Sequence, residues 1–217
     1  MTTDPHVPVL TEECLGFLEP GPGRRIIDGT FGFGGHTRAL LAAGAEVLAL
    51  DLDEEAHAAC RRIAAASAGL TCQRRSFRQL AAAVADAGWA GADGLLLDLG
   101  VSSRQLDDPA KGFTYRAGGP LALRFDQTSG RPAHALLEDL DETELAGILR
   151  EYGEDRGARP LARAIKAAGT VATTARLRDV IEAALPAGAP VNAVLSRVFQ
   201  ALRIAVNDEL GALTDVL

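Results

Sequence analysis

The apolar positions of residues 1–100 alternate between two patterns. Short β-branched or leucine-rich runs at 25–29, 46–51, 70–75 and 94–99 predict strands, the third more weakly than the others. Between them, 36–43, 54–68 and 77–87 carry a helical period, and a glycine follows each one (Gly44, Gly69, Gly88). Glycine just past a helix is the expected stop signal. Strands alternating with helices imply an α/β fold with a doubly wound, parallel, right-handed sheet of Rossmann-like type. The expected strand order is 3-2-1-4, with a ligand crevice at the switch between the first and fourth strands.

The pattern then changes. Residues 104–134 read as loop, punctuated by Asp107-Asp108-Pro109, Gly112, Gly118-Gly119-Pro120 and Ser129-Gly130-Arg131-Pro132. A loop this long inside a compact domain is usually functional. Helical stretches follow near 141–152, 158–168 and 175–185, with no strand between them. Residues 191–217 predict one long amphipathic helix, its stripe running Val191, Val194, Leu195, Val198, Leu202, Val206, Leu210, Leu213 and Leu217. The expected organisation is therefore an α/β domain of residues 1–105 and 191–217, interrupted by a helical insertion at 106–190.

Composition narrows the class. At 217 residues the chain can hold one good core, or one domain with an insertion. No apolar run approaches the roughly 18 residues of a membrane span. The start, Met1-Thr2-Thr3-Asp4-Pro5, lacks the basic and apolar blocks of a signal peptide. Cys14, Cys60 and Cys72 stand apart and are odd in number, which fits a reducing cytoplasm better than a disulfide frame or a zinc site. The four histidines have no metal-ligand spacing, so no metal is expected. The net charge of −7 argues against a sequence-blind nucleic-acid binder. Charge is uneven, however: residues 1–99 hold 8 basic and 13 acidic side chains, residues 100–206 hold 14 and 13. Any basic surface is expected in the second half.

The strongest candidate chemistry follows the first strand, in Ile26-Ile27-Asp28-Gly29-Thr30-Phe31-Gly32-Phe33-Gly34-Gly35-His36. Glycines let backbone approach a ligand, and the helix that begins there offers free N–H groups. The second strand ends at Asp51, about 20 residues on, where a carboxylate can take ribose hydroxyls. A dinucleotide loop would need a third glycine at Thr37, and Asp28 sits at the loop's entrance. An acid there repels a pyrophosphate and suits a cation. S-adenosyl-L-methionine, a sulfonium without phosphate, is the favoured cofactor over NAD.

After the fourth strand comes Asp98-Leu99-Gly100-Val101-Ser102-Ser103-Arg104-Gln105. An acid at the carboxyl end of that strand stands in the crevice. A ring-bound exocyclic amine is a poor nucleophile, and a carboxylate accepting its N–H bonds localises the lone pair. Asp98 is the candidate for that role, with Ser102 and Ser103 as polar partners. The plainer reading of Asp98 is a loop stabiliser or helix cap. No cysteine lies nearby, which disfavours attack through a cysteine adduct. Arg159, Arg163 and Lys166 share a helix face by spacing; a solvated face is the simpler account, phosphate contact the sharper one. Phe113 and Tyr115 could stack on a splayed base, though loop aromatics more often pin the loop to the body.

These strings resemble the ribosomal RNA small subunit methyltransferase H family, which methylates the N4 amine of a cytidine in 16S ribosomal RNA. The resemblance runs through His6-Val7-Pro8-Val9-Leu10, DGTFGFGGHT, Asp51-Leu52-Asp53, DGLLLDLGVSSRQLDDPAKGF, Tyr152-Gly153-Glu154 and RVFQALRIAVNDEL. It implies a class I methyltransferase fold with Gly34, Gly35, His36, Asp51, Phe77, Asp98 and Gln105 on the cofactor. It also implies an inserted helical domain that helps bind RNA, with the small ribosomal subunit as partner. The chain departs from the family's PLDMRMD at Pro120-Leu121-Ala122-Leu123-Arg124-Phe125-Asp126, and from its YGEERF at Tyr152-Gly153-Glu154-Asp155-Arg156-Gly157. By the same resemblance, the family's later strands and its SFHSLEDR-like segment are expected to be missing. With strand order 3-2-1-4 the fourth strand is then expected at an open edge, prone to pairing between copies and to weak activity. The expected function is methyl transfer to a 16S cytidine amine in the cytoplasm. The alternative is a shortened paralogue that binds cofactor or RNA without turnover.

Overall fold

The computed structural model describes residues 8–154 and 156–217. The readings on Met1 to Val7, including His6, and on Asp155 lie outside the described residues. The chain forms two compact units, Met1–Gly100 with Ala212–Leu217, and Val101–Gly211.

In the first unit β1 (Arg25–Asp28), β2 (Glu46–Asp51), β3 (Leu70–Arg74) and β4 (Gly94–Leu96) form one parallel sheet in the order β3-β2-β1-β4. Successive side chains point to opposite faces. Ile26 and Val47 pack with Leu40 on one face; Ile27, Leu48 and Leu50 pack with Ala83 on the other. Burial on both faces is why β2 reads as a continuous apolar run. The flanking helices are α1 (Thr11–Leu18), α2 (Gly35–Ala42), α3 (Glu54–Ala64) and α4 (Leu80–Asp86). The Asp53 side chain caps α3 by accepting the N–H groups of Glu55 and Ala56. Glu54 and Glu55 in its first turn and Arg61 and Arg62 in its last suit the helix dipole.

The α/β class and strand order agree with the sequence pattern, while several boundaries shift. The helix expected over 77–87 opens with a single 3-10 turn at Phe77–Gln79. β4 stops at Leu96 although the apolar run continues, because the following main chain bonds elsewhere (below). Cys60 and Cys72 are not isolated. They form a disulfide between α3 and β3, with Cα atoms 6.0 Å apart. Spacing hid the pair because the β2–α3–β3 crossover folds α3 back over its own next strand. The cysteine argument for a reducing compartment therefore falls. No helix among the described residues is long and apolar enough to cross a membrane.

The second unit is helical: α5 (Ser103–Asp107), α6 (Ala133–Asp139), α7 (Glu142–Gly153), α8 (Ala158–Ala167), α9 (Thr174–Ala184) and α10 (Val191–Asn207). Its core joins Leu121 and Leu145 to Leu161, Leu177, Leu195 and Leu202. α10 packs chiefly on α7, and also touches α6 and α9. Residues 191–207 thus belong to the helical unit, not to the α/β unit as the sequence suggested, because their stripe of Val194, Leu195, Val198 and Leu202 completes the helical core. Nor is 191–217 one helix. It breaks at Asp208, which has φ +47, before α11 (Glu209–Val216). Asn207 fixes the break: its Nδ2 donates to the Leu123 carbonyl at 2.7 Å and its Oδ1 accepts the Phe125 N–H at 2.9 Å.

Candidate active site

Asp28 ends β1 and is 1% exposed. It is not an open acid awaiting a cation. One oxygen accepts the Thr30 N–H at 3.2 Å and the other accepts the Thr37 hydroxyl at 2.6 Å, so it binds the loop to the first turns of α2. Burial pushes its carboxyl above the usual range, against those two hydrogen bonds and the nearby His36.

The loop over it turns through Gly32 (φ +57) and Gly34 (φ +80), left-handed positions that glycine adopts without strain. A Cβ on Gly34 would lie 2.8 Å from the Phe31 ring, so the site also needs the missing side chain. Gly35 and His36 then open α2. The loop is tied to the second strand by the Gly32 N–H, which donates to Asp51 Oδ2 at 2.7 Å. Asp51 Oδ1 accepts the Asp53 N–H at 2.9 Å. Burial raises the Asp51 carboxyl to about 6, outweighing those two backbone bonds.

His36 is 7% exposed, and its Nε2 lies 3.6 Å from Asp98 Oδ2. The Asp98 carboxylate is itself exposed, and its main-chain N–H donates to Thr30 Oγ1 at 2.7 Å. Phe77 follows β3, its Cβ 3.1 Å from where a Cβ on Gly29 would stand. Gly34, Gly35, His36, Asp51, Phe77 and Asp98 therefore gather at the carboxyl ends of the four strands. Thr30 and Thr37 join them and were missed by sequence reasoning. The signal was present, since both hydroxyls flank the glycines in the same string.

The chemistry of this donor set suits a nucleoside that carries a cation. Asp51 is held by two backbone donors, yet each carboxylate oxygen keeps a lone pair for a ribose hydroxyl. The turn offers backbone close to a ligand, and Arg38, in the helix that follows, donates from Nη1 to the Phe33 and Gly34 carbonyls at 2.8 and 3.3 Å. Asp51 and Asp98 place two acids at these strand ends, a setting that favours a cation over a phosphate.

Ser102, Ser103 and Gln105 lie in the second unit. Ser102 and Gln105 form a reciprocal capping box at α5: Ser102 Oγ accepts the Gln105 N–H at 3.3 Å and Gln105 Oε1 accepts the Ser102 N–H at 2.9 Å. The S-x-x-Q spacing alone spells this cap. Gln105 is buried and Ser103 exposed. Of the basic trio on α8, Lys166 donates to the Leu137 carbonyl at 2.7 Å, Arg163 pairs with Glu142 at 3.3 Å, and Arg159 is exposed. Phe113 stacks on Phe125 with centroids 5.6 Å apart, and Tyr115 meets Phe199 edge-on at 5.4 Å. Both aromatics pin their loop to the helical core. Ala122, at the PLDMRMD departure, is buried as well. Among the described residues no cluster of His, Cys, Asp or Glu is arranged to hold a metal.

The model of the MraW methylase family matches residues 3–217. A protein of Anaeromyxobacter sp. (strain K), named ribosomal RNA small subunit methyltransferase H, is 49% identical over 214 residues, covering 96% of this chain and 69% of its own length. Proteins of the same name from Deinococcus radiodurans and Heliobacterium modesticaldum are 46% and 45% identical. Each covers 98% of this chain, and 68% and 71% of its own length respectively.

Proposed function

The chain belongs to the MraW methylase family, and from that premise we propose that it transfers a methyl group from S-adenosyl-L-methionine to the exocyclic N4 amine of a cytidine in 16S ribosomal RNA. One observation carries this reading. The glycine loop, the Asp51 carboxylate and the Asp98 carboxylate converge at the carboxyl ends of β1, β2 and β4, linked by the Gly32–Asp51 and Thr30–Asp98 hydrogen bonds.

Asp51 would accept the ribose hydroxyls, and Phe77, Gly34, Gly35 and His36 would help hold the rest of the cofactor. The bound cofactor supplies an activated methyl on a positively charged sulfur. Asp98 accepts an N–H of the target amine and so turns its lone pair outward. On transfer the amine would gain the methyl as the methyl–sulfur bond breaks, and Asp98 or water would take the amine proton. The protein's share is alignment and charge stabilisation.

The helical unit is the proposed RNA reader, with its 14 basic side chains at 100–206 as support. Exposed Arg159 is its first candidate phosphate contact; Ser103→Ala tests whether the second unit adds a polar group to the reaction. A ribosomal RNA substrate implies the cytoplasm and the small subunit. β4 pairs only with β1 among the described residues, which supports pairing between copies as a further property of this edge.

The test is methyl transfer from labelled cofactor to small-subunit RNA that lacks the modification, with mass spectrometry locating the methyl group. Label on an N4 amine is the expected result. Tight S-adenosylhomocysteine binding without any transfer would favour a binding paralogue. NAD binding in its place would overturn the cofactor assignment.

A further inference from the structure

The β1–β4 ladder does not end where the strands end. The Gly29 N–H donates to the Leu96 carbonyl at 2.9 Å, and the next main-chain donor, the Asp98 N–H, lands on Thr30 Oγ1 at 2.7 Å. A side-chain oxygen takes the place of the carbonyl that a continuing strand would present, at the point where the two strands part. The crossing is close: a Cβ on Gly29 would lie 2.5 Å from Leu97 Cδ2. Thr30 is held in turn. Its N–H donates to Asp28 Oδ1 at 3.2 Å, and the other Asp28 oxygen accepts the Thr37 hydroxyl at 2.6 Å. A buried acid thus fixes the loop that carries the Thr30 hydroxyl. On the side-chain side of Asp98, His36 Nε2 stands 3.6 Å from Oδ2.

We infer that Thr30 is a positioning residue for methyl transfer: its hydroxyl oxygen anchors the Asp98 main chain and so sets the carboxylate against the cofactor loop on which Thr30 itself sits. The inference rests on the proposed role of Asp98 as acceptor for the target amine. Thr30 touches no reacting atom. It makes the loop that borders the methyl donor and the acid that aligns the methyl acceptor one rigid part. In-line displacement is sensitive to such alignment, and an error of about 1 Å costs about 100-fold in rate. Asp98 needs the anchor because it lies beyond the end of β4 and is exposed, with no ladder to fix it.

Two variants of the chain separate this role from a packing role. Thr30→Val removes the acceptor and keeps the shape; Thr30→Ser keeps the acceptor. Amide hydrogen exchange at Asp98, measured without cofactor or RNA, should be slow in the parent and in Thr30→Ser, and about tenfold or more faster in Thr30→Val. With S-adenosyl-L-methionine and unmodified small-subunit RNA, Thr30→Val should lower kcat by about 10- to 100-fold, while Thr30→Ser stays within about threefold of the parent. The Kd for the cofactor, by calorimetry, and the KM for RNA should stay within about twofold in both. Full kcat in Thr30→Val, equal impairment of the two variants, or an Asp98 amide still protected in Thr30→Val would each overturn the inference. A parent chain that transfers no methyl group would sink the proposed reaction and the catalytic half of this inference. Exposure of the Asp98 amide by Thr30→Val alone would even then support the anchor.

Discussion

The Gly32 N–H reaches the Asp51 carboxylate at 2.7 Å, so the acid at the end of the second strand holds the loop that follows the first. The same carboxylate is the proposed ribose ligand, and two effects are therefore joined in one residue. Asp51→Ala should weaken S-adenosyl-L-methionine binding by about 1–3 kcal/mol through loss of charge-assisted hydrogen bonds. The sign of the pH effect follows from its raised carboxyl, about 6 against an ordinary 3.8. Ribose hydroxyls donate to the ionised form, so cofactor affinity should fall as pH drops through about 6. The fold responds in the opposite sense. The folded chain binds the Asp51 proton more tightly than the unfolded chain does, so this group's contribution to stability worsens as pH rises from about 4 to about 6. Calorimetric titration from pH 5 to pH 8 reads the first effect. A flat profile that matches Asp51→Ala would remove Asp51 as the ribose ligand.

Asp98→Asn tests the chemistry. The amide oxygen still accepts a hydrogen bond, but without charge, so turnover should fall more than the affinity for RNA or cofactor. The expected loss is about 10- to 1,000-fold in kcat. Parent-like activity at saturating cofactor would remove Asp98 from the catalytic role.

The pattern of these two acids shows what a sequence carries and what it does not. Strand ends are legible where an apolar run stops at a charge, as at Asp28 and Asp51, and parallel topology then brings those ends together; β4 stops at Leu96, two residues short of Asp98. What each acid does locally is not legible, since it depends on hydrogen bonds across the chain. Asp28 read as an open anion and is a buried tie between Thr30 and Thr37. The break at Asp208 was hidden because the apolar stripe runs through it. Contacts across the chain fix the turn there: Asn207 bonds Leu123 and Phe125, and Arg203 pairs with Glu209 across the break at 2.7 Å. Residues 191–207 went to the wrong unit for the same reason: an amphipathic stripe says that a face is buried, not against which partner.

Gly34 offers a test of the loop that does not involve a charged group. At φ +80, any L side chain is strained by about 1–2 kcal/mol, and the new Cβ would collide with the Phe31 ring. Gly34→Ala should destabilise the first unit by about 1–3 kcal/mol and weaken cofactor binding in the same variant. Denaturant unfolding measures the first effect and calorimetry the second. An alanine variant with parental stability and affinity would show that the turn relaxes freely, and would deprive the loop of its proposed rigidity.

The Cys60–Cys72 disulfide gives a last prediction, about the support behind the site. The bond joins α3 to β3 with 12 residues of sequence separation. Cys60 packs in one cluster with Phe31, Ala49 and Ala56, and Phe31 belongs to the glycine loop. A closed loop of this length restricts the unfolded chain and stabilises the fold by about 2–4 kcal/mol. Reduction should therefore lower the melting temperature by several degrees, and Cys60→Ser with Cys72→Ser should lower it too and abolish the response to reductant. Cys14, the remaining free cysteine, serves as the control: Cys14→Ser should leave the response intact. Because Phe31 packs against the same cluster, reduction should also loosen the loop and weaken S-adenosyl-L-methionine binding, though less than Asp51→Ala does. Thermal melts and titrations with and without reductant read both effects. A chain whose melting temperature ignores reductant would show that the bond adds nothing to the fold, and a parental cofactor affinity after reduction would show that Phe31 does not transmit the change to the loop.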